Sequence, residues 1–459
     1  MSYREVTHVV RSGETLFQIA TRYHTTPEAI VRFNRLTSVN LRIGQQLRIP
    51  TYTEAIVTGD SVYVRRTPGP QSPPIAQMAR GARLPVVGGD SDWLKVRLYD
   101  GRTGWISREF TNLVPHGTDK PLVEILGFYT EEEGPTLPSS YQDFVQHQAE
   151  ISDIGLFHFR INRTNNTEIE KFFEFSDEYM RGVVEFGHRH NIKMLPVIHN
   201  LLYTRGNQET NKVVVRGMLR TAETRRAFIG NVIELINRYD FDGAHIDFED
   251  VYLEDAPLLN AFYRELGAEL HRRNLFFAVS TPSKASDQAP SEFARPFDYR
   301  VIGEAADEFV AMLYNEHGWP GSGPGPVVSI GWMENVLRYA MTKMPASKIT
   351  AAVSVFGFDF NLTKKRNTYV TYQMAMNLAK KYNKEVIFDQ KTQTPMFAYT
   401  DAEGNKHEVW FENADSIRAK LRLANRLGIR GLALWRLGME DPAIWTMVRD
   451  EFVVRKSML

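Results

Sequence analysis

The feature that most constrains this fold is a regular alternation of short apolar runs with amphipathic helical patterns, from about residue 122 to residue 455. The runs are rich in β-branched and aromatic residues, which is typical of buried parallel strands joined by helices. They cover residues 122–129, 154–159, 193–198, 243–248, 275–280, 309–314, 349–355 and 431–435. Eight βα units of this total length predict a (β/α)8 TIM barrel, whose active site lies at the carboxyl ends of the strands.

The barrel segment is longer than eight βα units need, and the excess lies between the seventh and eighth runs. Residues of about 366–414 contain three further strand-like runs, at 386–389, 395–400 and 408–412, with a turn between the second and third. We therefore expect a small α+β lobe inserted into the barrel within residues 122–455.

Residues 1–51 follow a strand, helix, helix, strand order. Thr26 and Pro27 form a typical helix start, and the segment 43–50 alternates like a strand and ends at Pro50. The segment resembles a LysM domain through these residues: Val10, Gly13, Thr15, Leu16, Ile19, Ala20, Asn34, Gly44, Gln45, Leu47, Arg48, Ile49 and Pro50. The resemblance implies binding of glycans that contain N-acetylglucosamine, and a purely structural module is the alternative.

Residues 54–114 contain short strands separated by turns, at 55–57, 61–65, 82–87, 93–96 and 104–106, which predicts a small all-β barrel. The segment resembles a bacterial SH3-type domain through Val64-Arg65, Pro68-Gly69-Pro70, Trp93–Val96 and Gly101–Ile106. That resemblance implies wall binding, with a spacer role as the alternative. The polar, turn-rich residues 115–121 are interpreted as a linker.

Composition narrows the possible functions. Lys plus Arg and Asp plus Glu are equal at 55 each, so the chain as a whole has no charge excess to attract nucleic acid. The absence of cysteine excludes thiolate metal sites, iron–sulfur clusters and cysteine nucleophiles. We expect no membrane-spanning segment, and the first residues have no classical signal-peptide pattern.

The strongest chemical signal is Asp242-Gly243-Ala244-His245-Ile246-Asp247-Phe248-Glu249, at the end of the fourth run. With the period of two in a strand, His245, Asp247 and Glu249 share one face. Two carboxyl groups that are close together in a desolvated site cannot both ionise easily, so one retains a proton near neutral pH. A glycosidic leaving group requires such a proton.

This run resembles the signature of family 18 glycoside hydrolases, Asp-Gly-x-x-hydrophobic-Asp-hydrophobic-Glu. The resemblance implies that Glu249 is the general acid/base, that Asp247 orients the acetamido group of the substrate, and that Asp242 supports the two carboxyl groups from below. His245 departs from the family, which usually has Asp at this position. A His there can still bond Asp247, but the coupled titration changes.

Further residues match the family. Met312 to Asn315 resembles Met-x-Tyr-Asp, which implies that Tyr314 binds the acetamido oxygen; Asn315 departs from the usual Asp. Trp435 matches the tryptophan that stacks under the reacting sugar. Tyr129 is a candidate for additional stacking, with plain packing as the alternative. We list Trp435, His245, Asn315 and Tyr129 as substrate-binding candidates.

The resemblance implies a retaining β-N-acetylglucosaminidase with no metal or cofactor, in which the 2-acetamido group of the substrate is the nucleophile. A metal site built from His188, His190, His199 and His245 is disfavoured, because no His-Glu-x-x-His pattern occurs. The domain arrangement resembles that of spore cortical fragment-lytic enzymes, which implies peptidoglycan as partner and a spore coat, cortex or wall location. A chitinase, and an inactive wall-binding lectin or coat protein, are the alternatives. Oligomeric state and endo or exo action stay open.

Overall fold

The computed structural model describes two compact units. The first comprises Met1–Leu122, Arg189–Asn191 and Glu451–Leu459, and the second comprises Val123–His188 and Ile192–Asp450. The residues described are 6–89, 92–118, 120–133, 137–201, 208–288, 291–314, 316–319 and 321–456.

The first module has the predicted strand, helix, helix, strand order: β1 (Val6–Val9), α1 (Leu16–Arg22), α2 (Pro27–Asn34) and β2 (Gln46–Ile49). The two strands pair antiparallel. Thr15 begins α1 with a reciprocal capping box to Gln18, and the hydroxyl of Thr26 accepts from the backbone N–H of Ala29 at 3.2 Å. Apolar side chains of both helices and β2, such as Ile19 and Ile30, form the small core.

The second module is an all-β sheet of seven strands. They are β3 (Tyr52–Val57), β4 (Val62–Arg65), β5 (Pro74–Met78), β6 (Arg83–Gly89), β7 (Trp93–Arg97), β8 (Thr103–Ser107), which a short 3-10 turn, Arg108–Phe110, follows, and β9 (Thr111–His116). Their order in the sheet is β5-β4-β8-β7-β6-β3-β9. The sequence prediction missed β5 and β9, which lack a clear alternation of apolar and polar residues.

The predicted linker begins too early. Pro115 and His116 belong to β9, where His116 pairs in register with Tyr52. The His116 ring stacks on the Tyr52 ring at 4.4 Å, and its Nε2 lies 3.0 Å from a carboxylate oxygen of Glu54. These contacts bury a side chain that the polar sequence pattern assigned to a loop.

The second unit is an eight-stranded barrel with an inserted sheet. Its strands are β10 (Leu122–Tyr129), β11 (Asp153–Ile161), β12 (Ile169–Lys171), β13 (Lys193–His199), β14 (Gly243–Asp247), β15 (Phe276–Pro282), β16 (Glu308–Met312), β17 (Ile349–Ser354), β18 (Phe356–Asn361), β19 (Arg366–Thr371), β20 (Ile387–Asp389), β21 (Thr394–Thr400), β22 (Lys406–Trp410) and β23 (Gly431–Trp435). A short β24 (Val453–Val454) belongs to the first unit. β10, β11, β13, β14, β15, β16, β17 and β23 pair in parallel in this order, and β23 pairs with β10 to close the ring. This confirms the predicted TIM barrel.

Helices connect the barrel strands. They are α3 (Tyr141–Gln146), α4 (Asp177–Arg189), α5 (Gln208–Leu219), α6 (Ala222–Tyr239), α7 (Ala256–Arg272), α8 (Tyr299–Ala305), α9 (Ile330–Met341), α10 (Tyr372–Lys381), α11 (Ala414–Leu427) and α12 (Ala443–Glu451), with short 3-10 turns at Gln148–Glu150, Leu253–Asp255 and Ala346–Lys348. Each strand therefore delivers its last residues to one face of the barrel, where the active site of this fold lies.

The inserted lobe is an antiparallel five-stranded sheet, ordered β19-β18-β22-β21-β20, with α10 packed near β18 and β19. It begins at Phe356, ten residues before the predicted boundary at 366. The error has a physical cause: only one residue separates β17 from β18, so no turn signal marks the start of a new strand after the seventh run, predicted at 349–355.

Gly243, the first residue of β14, allows a close approach of two strands. A Cβ atom there would lie 1.9 Å from the carbonyl oxygen of Phe276 on β15. We expect Gly243→Ala to lower the free energy of unfolding by about 1–3 kcal/mol or more, because the backbone must shift. The matched control is Gly230→Ala in α6, where a Cβ meets open space and helix propensity favours alanine by about 1 kcal/mol. Urea unfolding measures the free energy of unfolding of both variants. Equal free energies for the two variants would contradict the expectation.

Candidate active site

Three chemistry-bearing side chains lie on one face of the fourth barrel strand, as the period of two predicts. His245 and Asp247 are on β14, and Glu249 follows its carboxyl end. His245 and Asp247 are buried, and Glu249 is half-buried at the mouth. The order along the strand therefore runs from the barrel interior to the opening, with Glu249 outermost.

The backbone of Glu249 is held by the side chain of Asn200, which follows β13. The Glu249 N–H donates to Asn200 Oδ1 at 2.9 Å, and Asn200 Nδ2 donates to the Glu249 carbonyl at 2.7 Å. Asn200 is 1% exposed and also donates to the carbonyl of Asn211 at 3.2 Å. Asn211 in turn donates to the carboxylate of Asp250 at 2.9 Å. The two hydrogen bonds between the Asn200 side chain and the Glu249 backbone fix the position from which the Glu249 carboxyl group projects.

Burial determines the electrostatics of the two carboxyl groups. Desolvation raises the pKa of Asp247 to about 7. Desolvation, together with the negative charges of Asp247 and Asp250, raises the pKa of Glu249 well above its ordinary value. Among the described residues, Asp247 Oδ1 has no hydrogen-bond partner that would stabilise its charge. The pair therefore retains a proton at neutral pH, and Glu249 is the group that holds it more tightly.

These pKa shifts set an expected pH profile for kcat/KM. As the pH falls through about 7, the pKa of Asp247, protonation removes the negative charge that faces a developing cation, so activity falls. At high pH, Glu249 loses the proton it must donate, and activity falls again. We expect a bell-shaped pH profile whose acid limb lies near pH 7. The control variant is Asp240→Asn, which changes an exposed residue at the end of α6 and should leave the acid limb at the same pH. An acid limb near pH 4, where free carboxyl groups titrate, would contradict this expectation.

His245 does not make the contacts predicted for it. Its Nε2 lies 2.7 Å from Ser280 Oγ on the neighbouring strand, and it is 0% exposed, so the prediction that it contacts substrate is wrong. Burial lowers the pKa of His245 to about 4, although Glu308 acts in the opposite direction. The imidazole is therefore neutral at pH 7. The strand pleat explains the difference, because a residue two positions inside Asp247 lies beneath it in the barrel.

Aromatic side chains form the opposite wall of the mouth. The Trp435 ring, at the end of β23, is half-buried and lies 6.3 Å from the Tyr314 ring, which follows β16. Phe128 and Phe157 support Trp435 from the barrel interior, at centroid distances of 5.2 and 4.9 Å. The structure thus brings Tyr314 and Trp435 together at the carboxyl ends of the strands. The predicted residue Asn315 lies outside the described residues.

Tyr129 is a packing residue, which corrects its prediction as a substrate contact. It is 0% exposed, and its hydroxyl lies 2.6 Å from the hydroxyl of Tyr179. Tyr179 donates to the carboxylate of Glu131 at 2.9 Å, and His158 Nε2 lies 2.9 Å from the same oxygen. The sequence could not reveal this network, because its members come from three separate elements.

Asp242 lies at the amino end of β14, on the opposite end of the strand from Glu249. One of its carboxylate oxygens accepts from the Met194 N–H at 2.7 Å and lies 3.1 Å from His188 Nε2. Its backbone carbonyl accepts from the Phe276 N–H at 2.9 Å. Asp242 therefore joins β14 to both neighbouring strands and influences the mouth through strand alignment.

Three residues of interest were not predicted from the sequence. Asn200 holds the backbone of Glu249, and Asn211 bonds both Asn200 and the Asp250 carboxylate. The position of Asn200 just after an apolar run was the available signal. Trp319, in the segment after β16, is 52% exposed. Its carbonyl accepts from Ser322 Oγ, which also accepts from the Gly318 N–H at 3.0 Å. An exposed indole on a braced turn can stack against a sugar.

The structure places the histidines that were considered, and disfavoured, as metal ligands in different parts of the barrel. No group of three or more His, Asp and Glu side chains in the described part of the chain is arranged to hold a metal ion. His199 is paired in register with Asp247, but His188 bonds Asp242 at the other end of the barrel. A separate finding is that none of the described helices has the length and apolar character that crossing a membrane requires.

Family models match three parts of the chain. Residues 207–440 match the glycosyl hydrolases family 18, residues 8–50 match the LysM domain, and residues 60–112 match the bacterial SH3 domain. All three resemblances inferred from motifs are therefore confirmed.

Spore enzymes are among the curated and solved proteins of similar sequence. The cortical fragment-lytic enzyme of Bacillus subtilis (strain 168) is 31% identical over 72% of this chain and 75% of its own length. The cortical fragment-lytic enzyme of Bacillus anthracis is 29% identical over 98% of both chains. The crystal structure of the Bacillus cereus spore cortex-lytic enzyme SleL has a TM-score of 0.66 at 26% identity, covering 99% of this chain and 100% of the other.

Proposed function

Because this chain belongs to family 18 of the glycosyl hydrolases, we propose that it is a retaining β-N-acetylglucosaminidase that hydrolyses peptidoglycan of the spore cortex. The observation that carries the proposal is the pair Asp247 and Glu249, whose pKa values burial raises at the mouth of the barrel. A protonated carboxyl group beside a second carboxyl group is what protonation of a glycosidic oxygen requires.

In the proposed reaction, Glu249 donates its proton to the leaving oxygen as the glycosidic bond breaks. The carbonyl oxygen of the substrate's own 2-acetamido group bonds to the anomeric carbon and forms an oxazolinium ion. Asp247 accepts from the acetamido N–H and faces the positive charge, and Tyr314 hydrogen-bonds the acetamido oxygen. Water then attacks the anomeric carbon, returns a proton to Glu249 and releases the product with retained configuration.

The domain content favours peptidoglycan over chitin as the substrate. Two relatives that align over nearly the full chain are named cortical fragment-lytic enzymes, and a third is named a putative sporulation-specific glycosylase. The two N-terminal modules match the LysM and bacterial SH3 families, whose resemblance implies wall binding. A spore cortex or cell-wall location follows from that substrate. A chitinase shares the same chemistry, since both polymers contain β-1,4-linked N-acetylglucosamine. An inactive lectin is disfavoured by the presence of both Asp247 and Glu249.

The test is mass spectrometry of products formed from cortical fragments, vegetative peptidoglycan and chitin oligomers. We expect cortical fragments to yield new reducing ends at N-acetylglucosamine, and the Glu249→Gln protein to yield none. If only chitin oligomers are cleaved, the proposed reaction stands but the substrate is chitin and not peptidoglycan. If no polymer is cleaved in a Glu249-dependent way while binding persists, the protein is a lectin and the enzymatic proposal fails.

A further inference from the structure

A cavity of about 370 Å³ opens beside Trp435, on the side of the mouth formed by β23, β10 and β11. Its walls come from β11, from the segments after β10, β12 and β23, and from the inserted lobe. They are formed by Glu133, Leu137, Phe157, Phe172, Thr368, Tyr369, Met374, Trp435, Arg436 and Met439. Asp247, Glu249 and Tyr314 do not line it, so this cavity is a neighbour of the reacting centre and shares the Trp435 wall with it. We call it the Arg436 cavity.

Arg436 is the unusual member of this wall, because it is a cation that is 1% exposed. Its Nη1 donates to the carbonyl of Pro138 at 2.6 Å and approaches that of Leu437 at 3.3 Å. Its Nε and Nη2 have no hydrogen-bond acceptor among the residues that the structure describes. Unsatisfied guanidinium donors in a desolvated wall are costly, and an acceptor oxygen on a ligand would satisfy them.

Glu133 supplies a counter-charge without satisfying those donors. Its Oε1 lies 3.4 Å from Arg436 Nε, and its side chain is 39% exposed. A backbone hydrogen bond of 3.0 Å from the Glu133 N–H to the Leu137 carbonyl holds the segment that carries it. The net charge of Glu133 and Arg436 together is therefore close to zero, but Nε and Nη2 of Arg436 still lack a hydrogen-bond acceptor among the described residues.

The rest of the cavity suits a saccharide. Phe172 and Trp435 offer aromatic surface, Phe157 lies behind Trp435, and Thr368 adds a hydroxyl. Binding sites of this size with a few converging polar groups take small ligands, and apolar sugar faces stack on aromatic rings. A sugar placed here would be the neighbour of the N-acetylglucosamine that rests on Trp435.

We propose that the Arg436 cavity binds the sugar next to the reacting N-acetylglucosamine, and that Arg436 donates hydrogen bonds to a carbonyl oxygen on the O3 substituent of that sugar. The inference rests on the proposed function and identifies how the site recognises its substrate class. In peptidoglycan the neighbouring sugar is a muramic residue, which bears such an oxygen as a lactyl carboxylate or as a lactam carbonyl. In chitin the O3 position is a hydroxyl, which offers Arg436 neither a carboxylate nor a carbonyl oxygen but only a weaker acceptor closer to the ring.

The test measures binding in the Glu249→Gln background, so that no ligand is consumed. The probes are three tetrasaccharides: one with lactyl carboxylates, one with muramic lactam, and chitotetraose. We expect Arg436→Gln to weaken binding of both muramic tetrasaccharides by about 10–100-fold, and of chitotetraose by less than about 3-fold, because one charged hydrogen-bond donor set is lost. Arg225→Gln is the matched control, since it removes a buried guanidinium that pairs with Glu265 outside the cavity.

Equal weakening for all three tetrasaccharides, or no weakening for any, would overturn the proposal. Weakening for one muramic probe alone supports it and identifies the oxygen that Arg436 contacts. Glu133→Gln gives a second test that does not depend on the folding of the Arg436 variant. It removes the counter-charge, so we expect the carboxylate probe to bind at least about 3-fold more tightly and chitotetraose to be unchanged; an unchanged carboxylate probe would contradict the proposal.

The binding test is separable from the activity test. A protein that cleaves nothing but shows the Arg436-dependent preference retains the recognition site without the enzymatic function. If the protein cleaves cortical fragments but shows no Arg436-dependent preference, the proposed function stands and the inference about Arg436 is wrong.

Discussion

Replacing Glu249 by glutamine is expected to lower kcat on cortical fragments by about 10³–10⁴-fold. The amide cannot donate a proton to the leaving oxygen or recover one from water, although it has nearly the same shape as the carboxyl group. The backbone clamp from Asn200 does not involve the Glu249 side chain, so the position of residue 249 should be preserved. Binding of substrate should therefore change little, and kcat should carry most of the effect.

The matched control for that experiment is Glu254→Gln, a few residues further along the chain. The Glu254 side chain is exposed and pairs with Arg216 at the surface, so this change should leave kcat within about 2-fold. A Glu249→Gln protein with kcat within 10-fold of the unmodified one would exclude Glu249 as the acid.

The second large effect is expected for Asp247→Asn, with a loss of about 10²–10³-fold in kcat. Asp247 is buried, and in the proposed reaction its ionised form faces the positive charge of the oxazolinium ion. An amide supplies no charge and can present N–H where the acetamido group needs an acceptor. Removing the Asp247 charge also removes one of the two carboxylates that raise the pKa of Glu249, so the alkaline limb of the pH profile should move to lower pH.

This shift separates a catalytic role from a structural one. Asp240→Asn, at the exposed carboxyl end of α6, should leave both kcat and the alkaline limb unchanged. If Asp247→Asn lowers kcat without moving the alkaline limb, the ionisations of the two carboxyl groups are not coupled. The proposal that the pair shares one proton at neutral pH would then be wrong.

The barrel was predictable because each of its strands is buried on both faces and therefore forms an apolar run bounded by polar turns. The same logic failed where two strands follow each other closely, at β17 and β18, because the residue between them carries no turn signal. It also failed at β9, where His116 becomes buried through contacts with Tyr52 and Glu54 that are distant in sequence.

In the site, the period of two predicts that His245, Asp247 and Glu249 share a face. The pattern could not predict how deeply each side chain lies in the barrel. His245 and Tyr129 are fully buried, and their polar atoms therefore bond Ser280 and Tyr179. Arg436 escaped notice for a related reason, since its environment is built from the segment after β10 and from the inserted lobe. The catalytic roles inferred from the motif stay predictions until the variants are measured.

The neutral imidazole beneath Asp247 bears on how this protein could be inhibited selectively. A carboxyl group at position 245, the usual residue of the family, can add negative charge under a sugar that becomes cationic. Here that position is uncharged at neutral pH, because burial lowers the pKa of His245 to about 4. A positively charged mimic of the reacting sugar therefore gains less attraction in this mouth than in a relative with two aspartates. Inhibitors of this protein should instead draw their affinity from stacking against Trp435 and, under the proposal above, from an acceptor for Arg436.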